Sequence, residues 1–542
     1  MIATKMMKSI SIARLLLAPV VLLLAVTAHA AVPGITGPIF NLQAQTAFLN
    51  QPDGSAVYSW GYGCNGAPAG FQPAAISGPT CPTMQVPGPT LIVTEGQTVT
   101  VVLLNALPAA AGNTSILFPG FQVTTSGGVA GLLTQEAAPN GTVTYTFVAS
   151  TPGTHAYYSG TQGDLQIEMG MYGAIIVLPA NVPTACTTGL SAANLLVEQA
   201  NGESDFRLSK AAYDHAKTCY DREYMFQWAE MDPNIHKQAL AQVTAKVNCV
   251  AGAPGCSLEV PTEPYHPTYF LINGRSMPDL MDGNYAVEYP HQPYNGNPHM
   301  HPGEQVLVRA IGQGRWQHPF HEHGNHVRIL GRDGNLIQSA TDPNSLAGLL
   351  MFNTDTTPGQ AFEGIFYWTG RGLNWDAYGH HAGPDAFGDP LAVQPCSPDA
   401  NGYYTVNSPS PAPVSAINYY EWCQDHNKPV EATPDGDVGS GGPTTLPNPN
   451  IFTNGAWYGG SPYLGPDATL RSVAPNCSTT INANCSSQQP ANTQANPTNE
   501  RGYAFMWHSH NEREITTNNV FPGGMLMMML VDSREFVIDE SN

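Results

Sequence analysis

Charge is scarce in this chain. Only 11% of its 542 residues are Asp, Glu, Lys or Arg, and the basic ones are fewer still, 20 against 41 acidic. A formal charge of −21 excludes the partners that need basic patches, nucleic acid and anionic lipid surfaces. It leaves cations as welcome company, although plain solubility explains the bulk of the charge. Long apolar runs are also missing. The one candidate, Leu15 to Val26, is too short for a comfortable membrane span, and no later stretch is long enough. Lys5, Lys8 and Arg14 precede it and Ala28-His29-Ala30 follow it, the pattern of a secretory signal peptide over residues 1–30. An uncleaved anchor is the alternative. Cleavage removes three basic side chains, leaves a mature chain of charge −24 starting at Ala31, and implies a secreted, periplasmic or cell-surface address without a membrane span.

What is abundant is Gly, 54 residues, and Pro, 47, which suits an all-β protein with many turns and long loops. Leu91 to Val93, Thr98 to Leu104, Thr142 to Val148 and Ala174 to Leu178 read as strands of a first sandwich over residues 31–182. Residues 183–222 read as a linker, with a short helix expected over Phe206 to Tyr220. Tyr224 to Trp228, Tyr269 to Ile272, Gln305 to Ala310, Phe362 to Trp368, Tyr503 to His508 and Met525 to Val531 read as strands of a second sandwich over 223–542. Between 375 and 500 the strand pattern fails. A structureless loop of that length is unusual, so it reads as an insertion, a small third domain being the alternative. The ten cysteines fall into near neighbours, Cys64/Cys81, Cys186/Cys219, Cys249/Cys256, Cys396/Cys423 and Cys477/Cys485. In an exported chain these read as five local disulfides, paired by proximity alone.

Six of the seventeen histidines crowd into His318-Pro319-Phe320-His321-Glu322-His323-Gly324-Asn325-His326 and Trp507-His508-Ser509-His510. On a strand, side chains two apart share a face. His321 and His323 therefore point together, as do His508 and His510, while Ser509 and His318 point the other way. Four converging imidazoles suit copper, zinc or iron rather than magnesium or calcium. No cysteine stands beside either stretch.

Here the chain resembles the multicopper oxidase family, built of cupredoxin domains. Val86-Pro87-Gly88-Pro89-Thr90-Leu91-Ile92-Val93 with Glu95-Gly96-Gln97 resembles the opening of that family's first domain. Gly153-Thr154-His155-Ala156-Tyr157-Tyr158-Ser159-Gly160 and Gly170-Met171-Tyr172-Gly173-Ala174 resemble its second copper motif. The His318 and Trp507 stretches resemble the two motifs of the last domain. Trp507-His508-Ser509-His510 followed by Phe521-Pro522-Gly523-Gly524 is most similar to bacterial, manganese-oxidation-associated members. The resemblance implies tandem Greek-key cupredoxin β-sandwiches, copper as cofactor, oxidoreductase activity on metal ions or phenols, and a site between domains or between subunits of a homo-oligomer.

The departures are as informative. The family's first motif, His-Trp-His-Gly, stands here as Leu117-Phe118-Pro119-Gly120, and the second ends Tyr158-Ser159-Gly160, so the first domain offers no ligand pair; His155 is out of register. The blue-copper cysteine falls at Ser509 and its second histidine at Glu514, leaving His318. A hydroxyl is too hard to replace a thiolate. The metal ligands expected are thus His321, His323, His508 and His510, with His318 beside them; Glu322, Glu512 and Glu514 are candidate oxygen donors. His299 and His301 read as a surface loop rather than a ligand pair, His380-His381 as a weak site, and Met525 with Met527 to Met529 as core. The reading is an oxidase-like protein of altered or reduced activity. The rival is a non-catalytic, disulfide-stabilised extracellular protein whose histidines are relics.

Overall fold

A computed structural model describes residues 31–370, 396–413, 416, 418–423, 460–464, 501–532, 534 and 537–540. The segment 1–30, His380-His381, the Cys477/Cys485 pair and most of 375–500 lie outside these residues. The described chain is all-β in architecture, two β-sandwiches in tandem, each made of two packed sheets.

In the first sandwich, one sheet holds Gly153–Tyr158, Tyr172–Leu178, Leu91–Thr94, Gly34–Thr36 and Phe71–Gln72, and the other Ala56–Cys64, Ile39–Asn50, Thr98–Asn105, Thr142–Val148 and Thr124–Gly127. Thr98–Asn105 alternates outward and buried, so Val99, Val101 and Leu103 meet Leu91, Val93 and Val177 of the facing sheet. That is period-two patterning at work. Three pairings run parallel, Gly34–Thr36 with Leu91–Thr94, Tyr172–Leu178 with Leu91–Thr94 and Ile39–Asn50 with Thr98–Asn105, inside otherwise antiparallel sheets.

The second sandwich repeats the plan. Tyr269–Ile272, Arg222–Met231, Gln305–Gly312, Ala361–Tyr367 and Val327–Arg332 line one sheet; His299–Met300, Leu526–Asp532, Arg501–Ser509, His318–Glu322 and Asn353–Thr356 line the other. Tyr224, Phe226, Trp228 and Val308 pack from one side against Phe320, Trp507, Met525, Met527 and Met529 from the other. The methionines are therefore core filler. The sandwiches meet through Ala156, Ala174 and Ile176 against Met225, Ile311 and Ala361, beside Glu363, whose carboxylate accepts from Thr154 N and from Tyr213 Oη.

Two expectations about these elements change. Phe206 to Tyr220 is not helical: Thr218 Oγ1 and Tyr213 exchange hydrogen bonds and Ala211 bridges Cys219, so local side-chain bonds compete with the helix. The helices lie at Leu190–Ala200 and at Pro233–Ala245, the latter capped by Asp232, whose carboxylate accepts from Asn234 N. Within the supposed insertion, Gly460–Leu464 is a strand that pairs antiparallel with Arg501–Ser509. Cys64–Cys81, Cys186–Cys219, Cys249–Cys256 and Cys396–Cys423 are disulfides. Among the described residues, no helix is long and apolar enough to cross a membrane.

Candidate metal centre

The strands His318–Glu322 and Arg501–Ser509 lie side by side and antiparallel, with His321 opposite His508, Glu322 opposite Trp507 and Phe320 opposite Ser509. Directly opposed residues share a face. Phe320, Glu322, Trp507 and Ser509 thus turn to the core, and His321 and His508 turn to the other side, where His323 and His510 join them. The ring of His321 lies 4.6 Å from that of His323, 5.4 Å from His508 and 4.7 Å from His510. One nitrogen each from His321, His323 and His508 lie within 4.8 Å of one another. The Nε2 atoms of His323 and His508 are 3.2 Å apart. Two imidazole nitrogens about 2.0 Å from one ion at a tetrahedral angle would be about 3.3 Å apart, so this spacing fits shared coordination.

The tautomers fit as well. His321 Nδ1 donates to Phe352 O at 2.6 Å, and His508 Nδ1 donates to Ser509 O at 2.7 Å. Each bond puts the proton on Nδ1 and leaves the Nε2 lone pair for a metal. His321 and His508 are only 8% and 5% exposed. Burial, with the rings of His508 and His510 close by, pushes the His321 pKa down to about 4. Burial lowers that of His508 too, with His510 adding to it. Both rings are neutral, as ligands must be. His510 is exposed and completes the ring cluster, but it is outside the three-nitrogen set.

His318 does something else. Its Nδ1 donates to Glu514 Oε2 and its Nε2 to Glu230 Oε2, both at 2.9 Å, with all three side chains fully buried. Burial opposes its charge, but hydrogen bonds and negative charge from Glu230 and Glu514 outweigh that and raise its pKa to about 9. An imidazolium with both nitrogens engaged has no lone pair to give a metal. Ser509 Oγ donates to the same Glu514 oxygen at 2.5 Å, and Asn511 Nδ2 to the other at 2.9 Å. The positions resembling an electron-accepting copper site therefore do converge, as a salt-bridged hydrogen-bond network.

The candidate oxygen donors separate in the same way. Glu514 is taken by His318. Glu322 faces the core, fully buried, and burial raises its pKa well above the usual carboxylate range; neither of its oxygens has a hydrogen-bond partner among the described residues. Glu512 is exposed, and its charge reaches His508.

In the first sandwich, Leu117 pairs with Tyr158 backbone to backbone and Phe118 sits in the core. The two altered motifs thus meet and are filled with apolar groups. His155 is buried against Phe121, its Nε2 bonded to Thr151 O. His299 and His301, expected on a surface loop, are buried at 2% and 0% exposure. The strand His299–Met300 pairs parallel with Leu526–Asp532, and carboxylates hold the rings: His299 Nδ1 lies 2.5 Å from Asp532 Oδ2, and His301 Nε2 lies 2.6 Å from Glu203 Oε1. Sequence reasoning missed Phe352 and Glu230, the partners that orient His321 and His318. No local motif marks either residue.

Residues 82–182 match the family model described as multicopper oxidase. No curated protein matches the chain. Among solved structures, a blue copper oxidase from Nitrosomonas europaea is similar at 13% identity and TM-score 0.42, over 91% of this chain and 85% of that one. A copper nitrite reductase from the same organism is similar at 20% identity and TM-score 0.35, over 61% and 84%.

Proposed function

Taking as premise the match of residues 82–182 to the multicopper oxidase family, we propose that the protein is an exported, copper-binding, oxidase-like protein whose metal is held by His321, His323 and His508, with His510 alongside. The observation that carries this reading is the convergence of three imidazole nitrogens within 4.8 Å, two of the rings having their remaining nitrogen tied to a backbone carbonyl. Imidazole donors in a half-buried pocket suit copper. Bound copper would supply one-electron redox chemistry. The chain's own residues set its limits: Ser509 and Glu514 leave no soft sulfur where electrons would enter, so activity is reduced or altered. The likeness carried by Trp507-His508-Ser509-His510 and Phe521-Pro522-Gly523-Gly524 makes Mn(II) the first substrate to test and phenols the second.

A second reading, a non-catalytic extracellular protein, is favoured by the apolar filling at Leu117 and Tyr158. Metal analysis separates the two. The purified protein in copper-replete buffer should retain copper, and His321→Ala and His508→Ala should lose it. Absence of copper from the unaltered protein would sink the first reading. Oxygen consumption with Mn(II) or phenols then distinguishes a reduced oxidase from an inert copper protein.

A further inference from the structure

Phe352 connects the histidine cluster to a second concavity. Its ring lies 5.8 Å from that of His321 and 4.9 Å from that of His326. His326 lines a cleft of ≈ 530 Å³, within the usual range for a small organic ligand. The cleft opens over the outer face of a sheet. Arg328 sits there in one row between Leu350 on one neighbouring strand and Ile365 on the other. Leu346 adds a further apolar wall and Lys217 a second cation. Lys217 comes from the turn just before Cys219, which is anchored by the Cys186–Cys219 disulfide. Arg328 Nη1 donates to Gly348 O at 2.8 Å, which fixes the direction of the guanidinium.

Charge sets this cleft apart. Acidic residues outnumber basic ones by 41 to 20 in the chain, yet the lining holds Lys217, Arg328 and His326 and no Asp or Glu. Asp342, close enough to feel Lys217, is outside the lining. We propose that the cleft binds a small organic carboxylate with an apolar body. The carboxylate faces Arg328 and Lys217, and the aromatic or branched aliphatic body lies on Leu346, Leu350 and Ile365. A guanidinium can take a carboxylate through two parallel hydrogen bonds, and the flanking aliphatic side chains exclude water from that contact. None of the proposed metal ligands takes part, so the site stands or falls independently of copper.

Calorimetric titration of the mature chain with 1-naphthoate and with the neutral 1-naphthamide tests this. The acid should bind about ten-fold more tightly than the amide, a difference typical of one charge-assisted contact. The pair Arg328→Gln and Lys217→Gln should weaken the acid about ten-fold and leave the amide unchanged. Leu350→Asp, at a half-exposed position where folding is tolerant, should abolish acid binding through like-charge repulsion. His508→Ala should leave it unchanged. Equal affinity for acid and amide, no binding of either, insensitivity to both the Arg328/Lys217 and the Leu350 variants, or loss in His508→Ala would each overturn the assignment; the last would place the carboxylate on the histidine cluster.

Discussion

At position 509 one atom separates an alcohol from a thiol, and the neighbours are arranged for the alcohol. Ser509 Oγ, Asn511 Nδ2 and His318 Nδ1 all donate to Glu514, and His318 Nε2 donates to Glu230. His318 is thus a buried cation shared by two buried carboxylates. Removing one member of such a set leaves the others uncompensated, so His318→Ala should cost about 3–5 kcal/mol in urea unfolding. Copper content, if the three-nitrogen site is the ligand set, should not change. A variant that keeps its stability but loses copper would return His318 to the ligands. The pH dependence has a definite sign. His318 has its folded pKa raised from 6.5 to about 9. Its contribution is therefore complete below pH 6.5 and disappears as the pH rises through 9. Urea midpoints across that window should fall in the native chain, and the part due to His318 should be missing from His318→Ala.

Much of the site was legible at the level of the strand. The rule that side chains alternate places His321 with His323 and His508 with His510, and it sends Ser509 and His318 to the opposite face. Pairing of His321 with His508 then follows from the antiparallel register, which two short motifs cannot reveal without their partner strand. The orienting groups were invisible for a related reason. Phe352 contributes a backbone carbonyl, and every residue has one; Glu230 reaches His318 from a strand 88 residues away. The burial of His299 and His301 depends on Asp532 and Glu203, equally remote. The helix Pro233–Ala245, by contrast, carries a readable local signal, an Asp before a Pro at the first helical position. Asp232 accepts from Asn234 N with one oxygen and from His266 N with the other. Asp232→Ala should accordingly cost about 1–2 kcal/mol, the upper part of the usual range for losing a cap. Equilibrium urea unfolding measures it, and a loss of only a few tenths would mean that water satisfies those amides.

At the scale of the whole molecule, one guanidinium gathers distant parts of the chain. Arg222 bonds Glu203 at 2.6 Å, Glu304 at 2.6 Å and Glu540 at 3.1 Å, and Ile538 N donates to Glu203. The segment after the first sandwich, a strand and a turn of the second, and the C-terminal residues are thereby held in one buried cluster. Arg534 Nη1 also lies 3.9 Å from Glu304, yet the carboxylates around Arg222 do not share one protonation state, and they divide. Burial raises the pKa of Glu203, but His301 and Arg222 outweigh it and bring it down to about 2. For Glu540, burial prevails over Arg222 and lifts the pKa to about 8. The signs are opposite. Glu203, depressed from 4.5, stabilises above pH 4.5, and that contribution is lost as the pH falls through 2. Glu540, raised from 4.5, stabilises fully below pH 4.5 and loses its contribution as the pH rises through 8. Ionising Glu540 at alkaline pH therefore puts an extra charge into a closed cluster and loosens the C-terminus. Glu540→Gln keeps an oxygen to accept from Tyr224 Oη and Arg222, as Glu540 does, but cannot ionise. Its urea midpoint should gain steadily on that of the native chain between pH 5 and 9, with hydrogen exchange in the C-terminal segment slowing in parallel at the alkaline end. Two profiles that stay parallel across this range would mean that Glu540 is already ionised in the folded protein and that Arg222 and Arg534 together carry all three charges.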